Sequence, residues 1–128
     1  MKCTHVGLQV RDVDRSIAFY GRYCGLRAVH ERVEGSRVVW LGWGEDPPRF
    51  VIVLLGRPYE TNHQPEYQHI GMAVDSRAEV DAIAERAAGD GYPVVWSPRD
   101  AGPIVGYLCG LQDPDWNIVE FSYGQRLR

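Results

Sequence analysis

His5-Val6-Gly7-Leu8-Gln9-Val10, near the start of the chain, recurs as His69-Ile70-Gly71-Met72-Ala73-Val74 half a chain length later in a sequence of 128 residues. A repeat at that period points to two related modules rather than a solenoid, whose repeats are shorter and more numerous. Each copy alternates apolar residues with polar or small ones, the period-two pattern of a half-buried strand. In the first copy Val6, Leu8 and Val10 form the face expected to pack on a helix, opposite Cys3, His5, Gly7 and Gln9. In the second, Ile70, Met72 and Val74 oppose Tyr67, His69, Gly71 and Ala73.

Beyond each copy the spacing turns helical. Asp12 is placed to cap a helix with Val13, Ile17, Tyr20 and Cys24 on one stripe, stopped by Gly25. Ser76 and Glu79 have the Ser-x-x-Glu spacing of a capping box, followed by Val80, Ile83, Ala84 and Ala87 and ended by Gly89 to Gly91. Strand-like runs come next, at 26–33, 37–41 and 50–55, then at 93–96, 105–111 and 117–123, with Asp113-Pro114-Asp115 as a turn. Val38-Val39-Trp40-Leu41-Gly42 before Glu45-Asp46-Pro47 matches Val105-Gly106-Tyr107-Leu108-Cys109 before Gln112-Asp113-Pro114.

Each half thus reads strand, helix, three strands. The first module spans about 1–56, a Pro-, Asn- and charge-rich linker about 57–66, and the second module about 67–124, all within one domain, 1–128. Residues 97–103, with Pro98, Gly102 and Pro103, read as a loop beside the second module's last strands, either a lid or an ordinary surface loop.

Hydrophobic residues at 45% and charged residues at 24% give a globular balance, large enough to build a core. The net charge is −3 with Lys and Arg scattered, so no basic stripe is available for a run of phosphates, which excludes nucleic acid as the expected partner. Cys3, Cys24 and Cys109 form neither a disulfide framework nor a CxxC zinc pair. No signal-type segment or apolar run of spanning length is present, and the expectation is a soluble cytoplasmic protein without a membrane partner.

In the last strand Val119, Phe121 and Tyr123 alternate with Ile118, Glu120 and Ser122. Three strands therefore each place one metal-capable side chain, His5, His69 and Glu120, on the face away from the helices. Both histidines are followed two residues on by a glycine, which leaves room for a ligand. Two neutral imidazoles and a carboxylate with open positions suit Fe(II), Mn(II), Zn(II), Co(II) or Ni(II). An open position lets such an ion hold and polarise a substrate oxygen. Taken singly, each residue has a plainer reading as structural or solvent-facing; their coincidence across a repeat favours a site.

These segments resemble the vicinal oxygen chelate superfamily, which includes glyoxalase I, extradiol dioxygenases, fosfomycin-resistance enzymes and bleomycin-resistance proteins. The resemblance is carried by Thr4-His5-Val6-Gly7, by Asp12-Val13-Asp14-Arg15-Ser16-Ile17-Ala18-Phe19-Tyr20 with Gly25-Leu26, by Gln68-His69-Ile70-Gly71, and by Asp113 through Glu120. It implies an α+β fold of two tandem βαβββ modules, whose curved mixed sheets surround a metal-lined cavity, and a homodimer. The family's metal ligands fall on His5, His69 and Glu120. Its fourth ligand in glyoxalase I, a Glu, falls on Val53, or on Ile52 after a one-residue slip, with Glu60 several residues beyond. That departs from a standard glyoxalase I, where this carboxylate also moves the substrate proton.

The three-ligand pattern is more similar to the extradiol dioxygenases and the fosfomycin-modifying transferases. No residue matches the dioxygenases' acid/base His and Tyr in motif, though His63, Tyr67 and Tyr107 are candidates by proximity. The Thr expected two residues after the first ligand in the fosfomycin enzymes is Gly7. The resemblance thus implies a metal-dependent enzyme that chelates adjacent oxygens of a small molecule, with dioxygenase or isomerase/lyase chemistry. Tyr107 and Arg99 are candidates for substrate contact, against the plainer readings of a cavity-lining aromatic and a solvated charge. The alternative is a bleomycin-resistance-type protein that sequesters an apolar compound without catalysis; retention of all three ligand residues tells against it.

Overall fold

The computed structural model of the chain describes residues 1–59 and 67–127. The expected linker lies outside them from residue 60 on, as do Glu60 and His63. The chain divides into two compact units, Met1–Asn62 and His63–Arg128. The first holds β1 (His5–Val10), α1 (Val13–Cys24), β2 (Arg27–Glu34), β3 (Ser36–Gly42) and β4 (Val51–Gly56). The second repeats the order with β5 (His69–Ala73), α2 (Arg77–Asp90), β6 (Val94–Asp100), β7 (Tyr107–Gln112) and β8 (Ile118–Tyr123). The sheets run β1-β4-β3-β2 and β5-β8-β7-β6, so the opening strand lies beside the closing one. That pair is parallel and the others antiparallel, which makes each sheet mixed and the fold α+β. No helix among the described residues is long and apolar enough to cross a membrane.

Local chemistry sets the helix ends. The Asp12 carboxylate accepts from the Arg15 N–H at 3.1 Å, and Gly25 takes the left-handed conformation at φ 66° that few other residues tolerate. At α2 the Ser76 hydroxyl accepts from Glu79 N–H at 3.1 Å, while the Glu79 carboxylate reaches back to the Asp75 N–H at 2.9 Å. The left-handed residue there is Gly91, so α2 runs through Gly89 instead of stopping at it.

The two helices bury different material. α1 packs Val13, Ser16, Phe19, Tyr20 and Tyr23 against its sheet, whereas α2 packs only Val80, Ile83, Ala84 and Ala87. Ile17 and Cys24, expected on the α1 stripe, are half-buried; Phe19 and Tyr23 carry the packing, their rings 4.9 Å apart. Sheet residues Val10, Leu41, Ile52 and Leu54 complete the first core, and Leu111, Val119 and Phe121 the second.

Two local features shape the far strands of the second sheet. Residues 97–100, expected in a loop, belong to β6, whose pairing with β7 slips between Trp96 and Arg99. Pro98 falls in that slip and has no N–H to give a regular ladder. The remaining turn is closed by Ala101 N–H to Gly106 O and Gly106 N–H to Gly102 O, both 2.8 Å. Before β8, the buried Asp113 carboxylate gathers the N–H groups of Asp115 (2.8 Å) and Asn117 (2.9 Å) and the Asn117 side-chain amide (3.0 Å). This fastens the expected turn and fixes where β8, with Glu120, begins.

Candidate metal centre

Across the second sheet, pairing aligns Trp96, Gly110, Glu120 and Gly71 in one row. Glu120 sits within it, only 5% exposed. On one side Gly71 leaves open space, with nothing within 4 Å of where a Cβ would be. On the other, the Trp96 indole lies so close over Gly110 that a Cβ there would meet its Cε3 at 2.6 Å. Glycine inside a strand often marks such a close approach.

His69 shares the face of Gly71 and Glu120. Its Nε2 lies 3.2 Å from the Glu120 Oε2 and its Nδ1 2.6 Å from the Tyr67 carbonyl oxygen. A carbonyl oxygen accepts only, so that hydrogen bond assigns the proton to Nδ1. In the neutral ring Nε2 then presents a lone pair towards a carboxylate oxygen, and two acceptors this close call for a proton or a cation between them. The imidazole is held edge-to-face by Tyr67 (5.2 Å, 88°) and by Trp96 (5.1 Å, 82°). The Gln125 amide lies 3.5 Å from the other Glu120 oxygen, and a cavity of about 390 Å³ opens onto the pair.

The equivalent row of the first unit reads His30, Trp40, Val53, Gly7. Register makes Val53, opposite Gly7, the counterpart of Glu120, opposite Gly71; Ile52 is fully buried in the core. His5 is exposed on the same face, its Nδ1 3.0 Å from the Thr4 hydroxyl. It borders a cavity of about 680 Å³ whose walls include Val38, Trp40, Val51, Val53 and Leu55. Trp40 is gripped by His30 (4.7 Å) and by the Arg32 guanidinium (5.6 Å), and Arg32 pairs with Glu34 at 3.0 Å.

The structure thus brings His69 and Glu120 together in the second unit and places His5 in the first. Among the described residues no group of three His, Cys, Asp or Glu side chains is arranged around a common point. Arg99, exposed on β6, lines the same cavity as His69 and Glu120. Tyr107 does not: it sits on the helix side of β7, its hydroxyl donating to Asp81 at 2.6 Å under the Arg77 guanidinium. That hydrogen bond to Asp81, with burial, raises the phenol pKa, and the ring is engaged away from Glu120. Cys109 shares its side, its thiol 3.7 Å from the Val80 carbonyl and pushed up to about 12 by burial, which rules it out as a thiolate nucleophile. Trp96, Gly110, Gln125 and the Tyr67 carbonyl surround the pair; alternation puts Tyr67 on the His69 face but does not single out the others. The one signal available for them is an isolated glycine within the apolar run of β7.

Residues 2–121 match the family model of the Glyoxalase/Bleomycin resistance protein/Dioxygenase superfamily. An uncharacterised protein of Pseudomonas aeruginosa, PA2024, is 46% identical over 127 residues, covering 97% of this chain and 89% of that protein. The lactoylglutathione lyase of Salmonella typhimurium is 31% identical over 130 residues, covering 94% and 90%. The glyoxalase I of Leishmania major shares the fold with a TM-score of 0.79 at 21% identity, over 97% of this chain and 87% of that one.

Proposed function

This chain belongs to the Glyoxalase/Bleomycin resistance protein/Dioxygenase superfamily, and on that premise we propose a divalent-metal-dependent enzyme acting on a small substrate with two adjacent oxygens. Its protein ligands are His5, His69 and Glu120, and its working form is a homodimer. The observation that carries this reading is the His69–Glu120 pair: an imidazole fixed through Nδ1 to a backbone carbonyl, with Nε2 3.2 Å from a buried carboxylate. Metal-binding histidines are commonly held in this way. The donor set fits Fe(II), Mn(II), Zn(II), Co(II) or Ni(II).

Such an ion, when bound, supplies a Lewis acid that stabilises negative charge developing on the substrate oxygens. The chain's own residues do the rest. Trp96 and Leu108 give the cavity beside the carboxylate an apolar wall. In the first unit the cavity beside His5 is apolar, and its Arg32 and Glu34 offset each other's charge, which suits a hydrocarbon group. Val53 cannot move a proton, so a lactoylglutathione-lyase reaction that uses a carboxylate at that place is disfavoured. The reaction classes left are dioxygenation, or isomerisation or lyase chemistry with its base elsewhere. The apolar cavity beside His5 favours one second reading, sequestration of an apolar compound without catalysis.

Metal content by mass spectrometry, on protein purified without chelators, separates the two. We expect near-stoichiometric metal that falls below a tenth in His5→Ala and Glu120→Ala. A protein that stays metal-free after reconstitution with all five ions overturns the enzyme reading and leaves sequestration as the leading one. Light scattering gives the mass of the assembly.

A further inference from the structure

The indole of Trp96 touches two things at once. It rests on the bare backbone of Gly110, and its ring meets the His69 imidazole edge-to-face at 5.1 Å. We propose that Trp96 is a positioning residue for His69, and that Gly110 is the seat that allows it to act. This inference rests on the proposed metal site.

The effect is steric. The hydrogen bond from Nδ1 to the Tyr67 carbonyl fixes one point of the imidazole and leaves rotation about that contact. The indole closes one side of the ring, Tyr67 adds a second aromatic contact, and Nε2 is left directed at Glu120. The indole can lie there only because position 110 has no side chain: a Cβ would meet Cε3 at 2.6 Å, Cδ2 at 2.9 Å and Cγ at 3.2 Å. Gly110 has no left-handed backbone conformation, so the backbone itself accepts alanine, and the nearest atoms its Cβ would meet belong to the indole. An indole N–H is a donor only, so Trp96 is no metal ligand and its effect passes through the histidine.

The geometry makes a non-additive prediction. Gly110→Ala and Trp96→Ala should each weaken Co(II) and Zn(II) binding by about ten- to hundredfold, the usual cost of losing an outer partner of a ligand. Trp96→Phe should recover most of the affinity. The double variant should be no weaker than Trp96→Ala alone, because alanine at 110 has nothing left to displace. Affinities come from competition with a chromophoric chelator, and melting of the metal-free variants reports any plain loss of stability.

A second readout needs no metal. Nitrogen shifts of the His69 ring at one fixed pH should show an ordered, protonated Nδ1 in the unmutated protein, whichever group holds the proton beside Glu120, and an averaged ring in Trp96→Ala and Gly110→Ala. Variants that melt lower but keep affinity within threefold and an unaltered Nδ1 signal overturn the proposal. Additive losses in the double variant overturn the role of Gly110 as the seat. An unmutated protein that binds no metal sinks the metal-site reading, while the nitrogen-shift measurement still decides whether Trp96 orients the histidine.

Discussion

In the first unit the row across the sheet runs His30, Trp40, Val53, Gly7; in the second it runs Trp96, Gly110, Glu120, Gly71. Both rows keep the glycine on the opening strand, two residues after a histidine. The aromatic ring has moved one strand outward in the second unit, and the closing strand carries a carboxylate there in place of an isopropyl group. The outcome is one sheet face that offers an apolar wall and one that offers a polar pair under an indole. One βαβββ scaffold therefore supports two different surfaces, and three positions account for most of the difference.

The most severe test writes the first row into the second. Glu120→Val should lower metal affinity at least about a hundredfold, by removing a ligand and leaving His69 Nε2 without its partner. Folding should be weakened but not lost. The cost is that of removing one partner of a buried pair and filling its place with a smaller group, so the metal-free melting temperature should fall while the fold persists. A variant that loses both metal and fold would mean that Glu120 is structural.

The reverse exchange, Val53→Glu, tests whether the first row has lost a ligand. We expect affinity for Ni(II) or Zn(II) to rise about tenfold. Metal-free stability should drop by about 1–3 kcal/mol, as a charge enters a half-buried apolar wall. Unchanged metal affinity would show that position 53 does not face the ion.

Most of this contrast was legible in the residues, because alternation at period two sorts each strand without knowledge of its neighbours. That is how His5, His69 and Glu120 fell on one kind of face, and the pairing of Gly7 with Val53 follows the same parity. What alternation cannot give is register between strands. Matching Trp40 to Tyr107 by sequence carried the first module's spacing into the second. Pairing instead makes Gly110 the counterpart of Trp40, three residues further on. An odd shift turns a strand over, which is why Trp40 faces the cavity and Tyr107 faces α2. The slip at Pro98 has the same character. It is local, it depends on a missing N–H, and it decides that Arg99 belongs to a strand.

A smaller effect is shared by the two units. Cys24 in the first and Cys109 in the second are each pushed up to about 12 by burial. The folded protein keeps both thiols protonated while the unfolded chain loses those protons near pH 8.5. The unfolded state then binds fewer protons, so stability falls as pH rises between about 8.5 and 12. Denaturant midpoints at pH 8 and pH 10 should fall less in Cys24→Ala or Cys109→Ala than in the unmutated protein. An equal fall in both variants would place the loss elsewhere.

The smallest expected effect concerns the helix caps, where the units differ in what else holds the helix. α1 is anchored by Phe19, Tyr20 and Tyr23, large rings whose burial stabilises it whether or not its first turn is tidy. α2 has only Val80, Ile83 and two alanines against its sheet, and it carries Gly89 near its end. Its first turn is accordingly tied twice, through the Ser76 hydroxyl and through Glu79 reaching back to Asp75. Asp12→Ala should cost about 0.5–1 kcal/mol and Ser76→Ala about 1–2 kcal/mol, the lower and upper parts of the range for lost caps. Hydrogen exchange should place the Ser76→Ala loss in α2 itself, as faster exchange of its first-turn amides before global unfolding. Equal costs and unaltered local exchange would show that small apolar residues hold α2 as firmly as aromatic rings hold α1.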